Sequence, residues 1–370
     1  MKALAVPSLR PAWSWLALVL GWIIVAITTT TADPRGDTFA VLILTVLIAA
    51  VLASVHHAEV IAHRIGEPYG TLVLAIAVTI TELSLIVTLM LAGGEEAYAL
   101  ARDSVFAALM IAVTGIIGLC LFISGLKFGE VRFEGRGASA ALSVLTALAV
   151  LTLVLPNYTK RTNEPIFTPT QLAFVAVISL VLYLTFVFVQ TVRHRNYFVL
   201  AADVEASDDD DLIHQPRPSA RDAAIALALL LAGLVAVILL AEALAPTLDL
   251  TVAAIGAPSA VAGIAIASLV LLPEGLSAVR AARRNQLQTS LNLALGSVLA
   301  SIGLTIPGVA LFAWLSGEPL ILGISPEHTV LLVLTLLVST ITLTSGRSTI
   351  LHGAVHLTIF GTYLLLSFSP

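Results

Sequence analysis

Two acids stand where the surrounding sequence makes an acid costly. Glu82 lies inside the apolar run from Thr71 to Ala92, and Glu274 inside the run from Val252 to Val279. In the middle of a membrane-spanning helix an acid costs about 2.5–3.5 kcal/mol on insertion scales, so one that is kept there reads as a functional group. Thr79 precedes Glu82 by about one turn, and Thr81, Ser84 and Thr88 put further hydroxyls on neighbouring faces. Glu274 follows Pro273, which predicts a break in its helix and a carbonyl freed one turn upstream, and Ser277 comes one turn later. Carboxylates, hydroxyls and freed carbonyls are oxygen ligands, which suit hard cations such as Ca²⁺, Na⁺ or Mg²⁺, and the carboxylates also take protons. The plainer reading of each acid is a protonated side chain in a structural hydrogen bond between helices.

Other residues could support such chemistry. Ser290, Ser297, Ser301 and Thr305 share one face of a run that also holds Asn292, Gly296 and Gly303, so Asn292, Ser297 and Ser301 join Thr79, Thr81 and Ser277 as candidates to line an ion path. Small residues at these positions serve tight helix packing equally well. The matching earlier run, with Ser104, Thr114, Gly115 and Gly118, is less polar. His56, His57, Glu59 and His63 cluster at the inner end of a span, as a proton relay, a regulatory site or a polar cap. His352 and His356, one turn apart, read as structural hydrogen-bonding groups. The run Asp208, Asp209, Asp210 and Asp211 reads as a solvated cytoplasmic linker or a weak regulatory Ca²⁺ segment, and it lacks the spacing of an EF-hand loop. Glu242 lies near the outer end of its run.

The elements that must position these residues are membrane helices. The chain has 370 residues, 58% hydrophobic and 11% charged, against about 25% charged in soluble domains. Apolar runs fall at about 13–29, 38–56, 68–92, 104–126, 138–156, 169–191, 222–245, 252–279, 289–315, 327–345 and 349–368. Each is long enough for a spanning helix. The first run carries Trp13, Trp15 and Trp22 as interfacial anchors and lacks a cleavage site, so it reads as a retained helix. The single cysteine, Cys120, excludes a disulfide framework, and no basic patch with interleaved aromatics points to nucleic acid. With the N-terminus in the cytoplasm, only Arg35, Arg102, Lys160 and Arg161 of the eighteen Lys and Arg residues fall outside. The bias predicts a cytoplasmic N-terminus and an external C-terminus.

The expected fold is therefore an all-α polytopic membrane protein of about eleven helices. An N-terminal helix (1–33) precedes two five-helix repeats (34–192 and 222–370), joined by an acidic cytoplasmic linker (193–221). The runs leading to the two acids read alike, Leu74-Ala75-Ile76-Ala77 and Ile264-Ala265-Ile266-Ala267. Five helices per repeat is an odd number, so the second repeat is inverted relative to the first, as in many secondary transporters.

The segments Glu67-Pro68-Tyr69-Gly70-Thr71-Leu72-Val73-Leu74 with Thr81-Glu82, and Leu272-Pro273-Glu274-Gly275 with Asn292-Leu293-Ala294-Leu295-Gly296-Ser297, resemble the two repeats of bacterial calcium/proton antiporters of the ChaA kind, within the cation/proton exchanger family. His56-His57-Ala58-Glu59 and Gly353-Ala354-Val355-His356-Leu357 fit the same group. The resemblance covers about residues 40–368 and implies an eleven-helix plan with an acidic segment between the sixth and seventh helices. Many members of the wider family place Gly-Asn-Ala just before each glutamate. Here Val78-Thr79-Ile80 and Val270-Leu271-Leu272 stand there. Members of the ChaA kind are associated with Na⁺ and K⁺ exchange as well as Ca²⁺.

Together these readings predict a proton-coupled antiporter of a bacterial cytoplasmic membrane. It would export Ca²⁺, or Na⁺ or K⁺, by alternating access, with Glu82 and Glu274 holding either cation or protons and no cofactor. A cation channel without obligatory proton coupling is the alternative. An intramembrane enzyme would need a nucleophile with a base, or a metal centre, and no such set stands out.

Overall fold

The structure, a computed structural model, describes residues 12–30, 37–65, 69–92, 98–159, 165–198, 218–254 and 260–368. Among these are eleven long helices. They are α1 (Ala12–Thr30), α2 (Asp37–Ile65), α3 (Tyr69–Ala92), α4 (Leu100–Phe128), α5 (Gly135–Tyr158), α6 (Pro169–Arg193), α7 (Ala220–Ala254), α8 (Ala260–Ala282), α9 (Leu287–Ser316), α10 (Pro326–Thr344) and α11 (Ile350–Phe368). Ten are long and apolar enough to cross a bilayer, and α3 carries a shorter apolar stretch, Ala75–Leu91. Two short strands, β1 (Val131–Arg132) and β2 (Arg347–Ser348), form one antiparallel pair.

Local sequence explains where several helices begin and end. Thr168 and Gln171 form a reciprocal capping box at the start of α6, with Pro169 in the first turn. Ser219 and Asp222 exchange the same bonds before α7. Ser325 accepts from the amide of His328 at the start of α10. Gly317, at φ +76°, ends α9 in the left-handed conformation that glycine adopts without a steric penalty.

The helices gather into two compact units. One contains α1, α2, α3 and α7. Its core includes Ala17, Leu18 and Ala53, with a second cluster of Ala58, Ala77, Leu230 and Leu234 joining α2, α3 and α7. Gly21 lets α1 approach Ala236 and Leu240 of α7, and Gly233 lies against Ser54 of α2. At one end Arg64 donates to the carbonyl of Pro218, so the end of α2 adjoins the start of α7.

The other unit contains α4–α6 and α8–α11. α4 and α11 pack with close backbone approach at Gly118, Gly125 and Gly353; a Cβ on Gly353 would collide with the backbone of Phe122. Tertiary bonds define the two ends of this unit. At one, Tyr98 donates to Glu318 at 2.6 Å, Arg102 to the carbonyl of Gly323 at 3.2 Å, and Ile166 bridges Ile321. At the other, β1 pairs with β2 and Lys127 donates to the carbonyl of Arg283 at 2.8 Å. α4, α5 and α6 therefore run opposite to α9, α10 and α11 respectively, which is the expected inversion of the repeats. The β1–β2 end also carries Lys127, Arg132, Arg136, Arg280, Arg283, Arg284 and Arg347, whereas the other end holds Arg102 among the described residues.

Three expectations change. α2 continues to Ile65 instead of ending near residue 56, so His56 and His57 lie within a helix and not at its end. α7 continues to Ala254, and α8 starts at Ala260 instead of near residue 252. α8 also runs through Pro273 without interruption. The proline still removes one amide, leaving Leu269 without its usual donor, but the irregular backbone lies elsewhere. Wider i→i+5 turns interrupt α4 at Ile111–Ile116 and α9 at Ser301–Thr305, the third helix of each repeat. Turns of the same kind occur near the ends of α5 and α6. Such turns are rare and recur at functional sites.

Candidate functional site

Glu82 belongs to the α1–α3 and α7 unit and is 2% exposed. Val78, Leu85 and Ile86, which share its face of α3, are buried too. Thr79 and Thr81 are buried beside it. The Thr81 hydroxyl donates to the carbonyl of Ala77 at 3.0 Å, so its oxygen keeps lone pairs for another donor or a cation. Ser84 donates likewise to Ile80. This part of α3 thus combines one carboxylate and buried hydroxyl oxygens with an apolar surround.

α2, in the same unit, carries the histidine cluster. His57 is 1% exposed, and neither ring nitrogen has a hydrogen-bond partner among the described residues. His56 lies against Trp13 with the rings tilted at 57° and their centres 5.6 Å apart, and its Nδ1 lies 3.9 Å from Glu59 one turn on. His63 is exposed. The four residues therefore separate into a buried imidazole, a half-buried imidazole–carboxylate pair and a surface residue.

Glu274 belongs to the other unit and is half-buried on α8. Val270, Leu271 and Ala278 on adjoining turns are buried, and Ser277 is half-buried. Gly275 packs on Ile116 of the widened α4 turn; a Cβ there would lie 3.1 Å from Ile116 Cδ1. Ser290 donates to the carbonyl of Ala278 at 2.7 Å and ties the start of α9 to α8.

Along α9 the candidate lining residues divide. Ser297 is half-buried next to Gly296, whose missing side chain faces open space among the described residues. Ser301 is buried at the start of the widened turn. Asn292 is committed elsewhere: its Nδ2 donates to the carbonyl of Phe198 at 2.6 Å, and its Oδ1 accepts from Gln288 at 3.0 Å. It anchors the chain beyond α6. Asp208 to Asp211 lie outside the described residues.

Two further features of the structure carry little or no signal in the sequence. Asp103 is buried at the start of α4 and pairs with Arg102 at 2.7 Å; an Arg-Asp pair opening an apolar run is a visible but weak signal. The widened turns left no signal, because nothing in the composition of Ile111–Ile116 marks them. His352 accepts from the amide of Thr349, and His356 meets the carbonyl of Val113, in keeping with the structural roles expected of this pair. Among the described residues no three His, Cys, Asp or Glu side chains converge on a metal position.

A bundle of long apolar helices in two inverted repeats is the architecture of a secondary transporter. The family model described as "Sodium/calcium exchanger protein" matches residues 38–192 and again 225–369. The chain belongs to this exchanger family, which moves ions and is not catalytic. It is 48% identical over 363 residues to the putative ionic transporter y4hA of Sinorhizobium fredii, covering 97% of both chains. It is also 37% identical over 323 residues to the sodium-potassium/proton antiporter ChaA of Escherichia coli, covering 87% of each. The solved structure of native YfkE superposes with a TM-score of 0.71 at 17% identity, over 96% of this chain and 99% of that one, and shares its fold.

Proposed function

We propose that this protein is a proton-coupled cation antiporter of a bacterial cytoplasmic membrane, in which Glu82 and Glu274 each alternate between binding a proton and binding the exported cation. The observation that carries the reading is the placement of one glutamate in the second helix of each inverted repeat, each on a stretch of buried apolar side chains. A carboxylate in such surroundings is costly when it is charged and empty. Protonation or a bound cation relieves that cost, and competition for one group couples the two flows without a cofactor. On this reading Thr79, Thr81, Ser277, Ser297 and Ser301 supply oxygens along the path, and the His56, His57, Glu59 and His63 cluster serves proton relay or regulation.

On this reading the exported cation is Ca²⁺, or Na⁺ or K⁺ in its place. Membership of the sodium/calcium exchanger family supports Ca²⁺, and the relatedness to a sodium-potassium/proton antiporter supports Na⁺ or K⁺. The basic end of the α4–α6 and α8–α11 unit supports a cytoplasmic location for that end and an external C-terminus, and the Lys and Arg bias along the sequence supports a cytoplasmic N-terminus. On this reading the repeats occupy residues 34–192 and 222–370, after an N-terminal helix in 1–33 and across a cytoplasmic linker in 193–221.

Purified protein in proteoliposomes, given an imposed pH gradient at zero membrane potential, tests the proposal. Cation uptake against its gradient, abolished when the pH gradient is collapsed, is the expected result. Comparison of Ca²⁺, Na⁺ and K⁺ ranks the cargo. Cation flux that only follows its own gradient, with no proton counterflow, would mean a channel.

A further inference from the structure

The widened turn in α4 leaves one carbonyl without its usual partner. In an uninterrupted α-helix the amide of Ile117 would serve Val113, but here it bonds Ala112. Val113 is buried, so water cannot take the vacant acceptor position. His356 of α11 takes it, with Nδ1 2.9 Å from the Val113 oxygen. A carbonyl only accepts, so Nδ1 carries the hydrogen and Nε2 presents its lone pair. His356 is 0% exposed, and its Nε2 has no partner among the described residues. Glycine makes the approach feasible, since a Cβ on Gly118 would lie 2.9 Å from the His356 Cβ. The same α4 turn touches α8 through Ile116, which packs on Gly275, the residue after Glu274.

We propose that His356 is a positioning residue for the Glu274 ion site. Its Nδ1–H holds the Ile111–Ile116 turn in the i→i+5 register, and that turn sets the stretch of α8 bearing Glu274. The inference rests on the antiport reading for the role of Glu274, while the clamp itself is a property of the fold. It differs from a proton-carrying role, which would need Nε2, and from simple packing, which would need only the ring's volume.

Two variants separate these roles. His356→Asn keeps an N–H near the place of Nδ1–H and removes the titratable ring. His356→Leu keeps volume and removes the donor. In proteoliposomes His356→Leu should raise the half-saturating cation concentration about ten-fold while the maximal rate per folded molecule stays within about two-fold, and His356→Asn should stay close to the parent. In detergent-solubilised protein, amide hydrogen exchange of the 111–118 segment should accelerate about ten-fold in His356→Leu and return to the parent rate in His356→Asn. Unchanged half-saturation and exchange in His356→Leu would overturn the proposal. So would a loss confined to folded yield or maximal rate, or a His356→Asn variant as impaired as His356→Leu. If the parent moves no cation, the antiport reading fails, and hydrogen exchange alone then decides whether the clamp exists.

Discussion

Asn292 on α9 donates to the carbonyl of Phe198 at 2.6 Å, joining the second repeat to the chain just beyond the end of α6. Truncation of one partner leaves that buried carbonyl unsatisfied, a cost of about 1–3 kcal/mol. Asn292→Ala should therefore lower the melting temperature by several degrees and leave the half-saturating cation concentration unchanged. A shift in half-saturation without loss of stability would return Asn292 to the ion path.

Glu82→Gln and Glu274→Gln should each fold, insert and abolish proton-coupled exchange. Glutamine keeps the size and neutrality of the protonated acid and cannot release a proton. The double variant should lose no more than either single one, because residues that act as a unit are not additive. Uphill cation uptake driven by a pH gradient in either single variant would remove that residue from the exchange mechanism.

The α4–α11 contact depends on the absence of side chains. A Cβ on Gly353 would collide with the Phe122 backbone, whereas one on Gly361, also on α11, would meet nothing within 4 Å. Gly353→Val should destabilise the protein by about 3 kcal/mol through overpacking, seen as a lower melting temperature and a smaller monodisperse fraction. Gly361→Val should have little effect on either measure.

Replacement of Asp208, Asp209, Asp210 and Asp211 by Asn tests the acidic linker. An acid cluster concentrates cations locally and is screened by salt. The saturating rate should stay constant, and the half-saturating Ca²⁺ concentration should rise at low ionic strength and converge with the parent in about 0.5 M salt, where screening is short-ranged. Complete loss of transport in a folded variant would give the segment a larger role.

Orientation is checked by labelling single cysteines in a Cys120→Ala background with a membrane-impermeant maleimide. A cysteine near Pro370 should react in intact cells, and one near Asp209 only after the membrane is opened. The reverse pattern would turn the proposed direction of transport around.

Helix number and the paired repeats were legible in the sequence because both depend on local composition. A bilayer requires about twenty apolar residues per helix, whatever packs around it. An odd number of spans per repeat inverts the second copy by counting alone. Helix ends were less legible: α2 and α7 run past their apolar stretches, to Ile65 and Ala254, because helical hydrogen bonds continue where hydropathy does not. Pro273 suggested a broken helix, yet α8 runs through it. The widened turns fall instead at Ile111–Ile116 and Ser301–Thr305. Only tertiary structure decides such features, since an i→i+5 turn persists where a distant group fills the carbonyl it leaves. His356 does this for Val113 from more than two hundred residues away in the chain. The same holds for Asn292, whose polar side chain suited an ion path by composition, while its bond to the Phe198 carbonyl arises only once α9 and the chain beyond α6 are folded together.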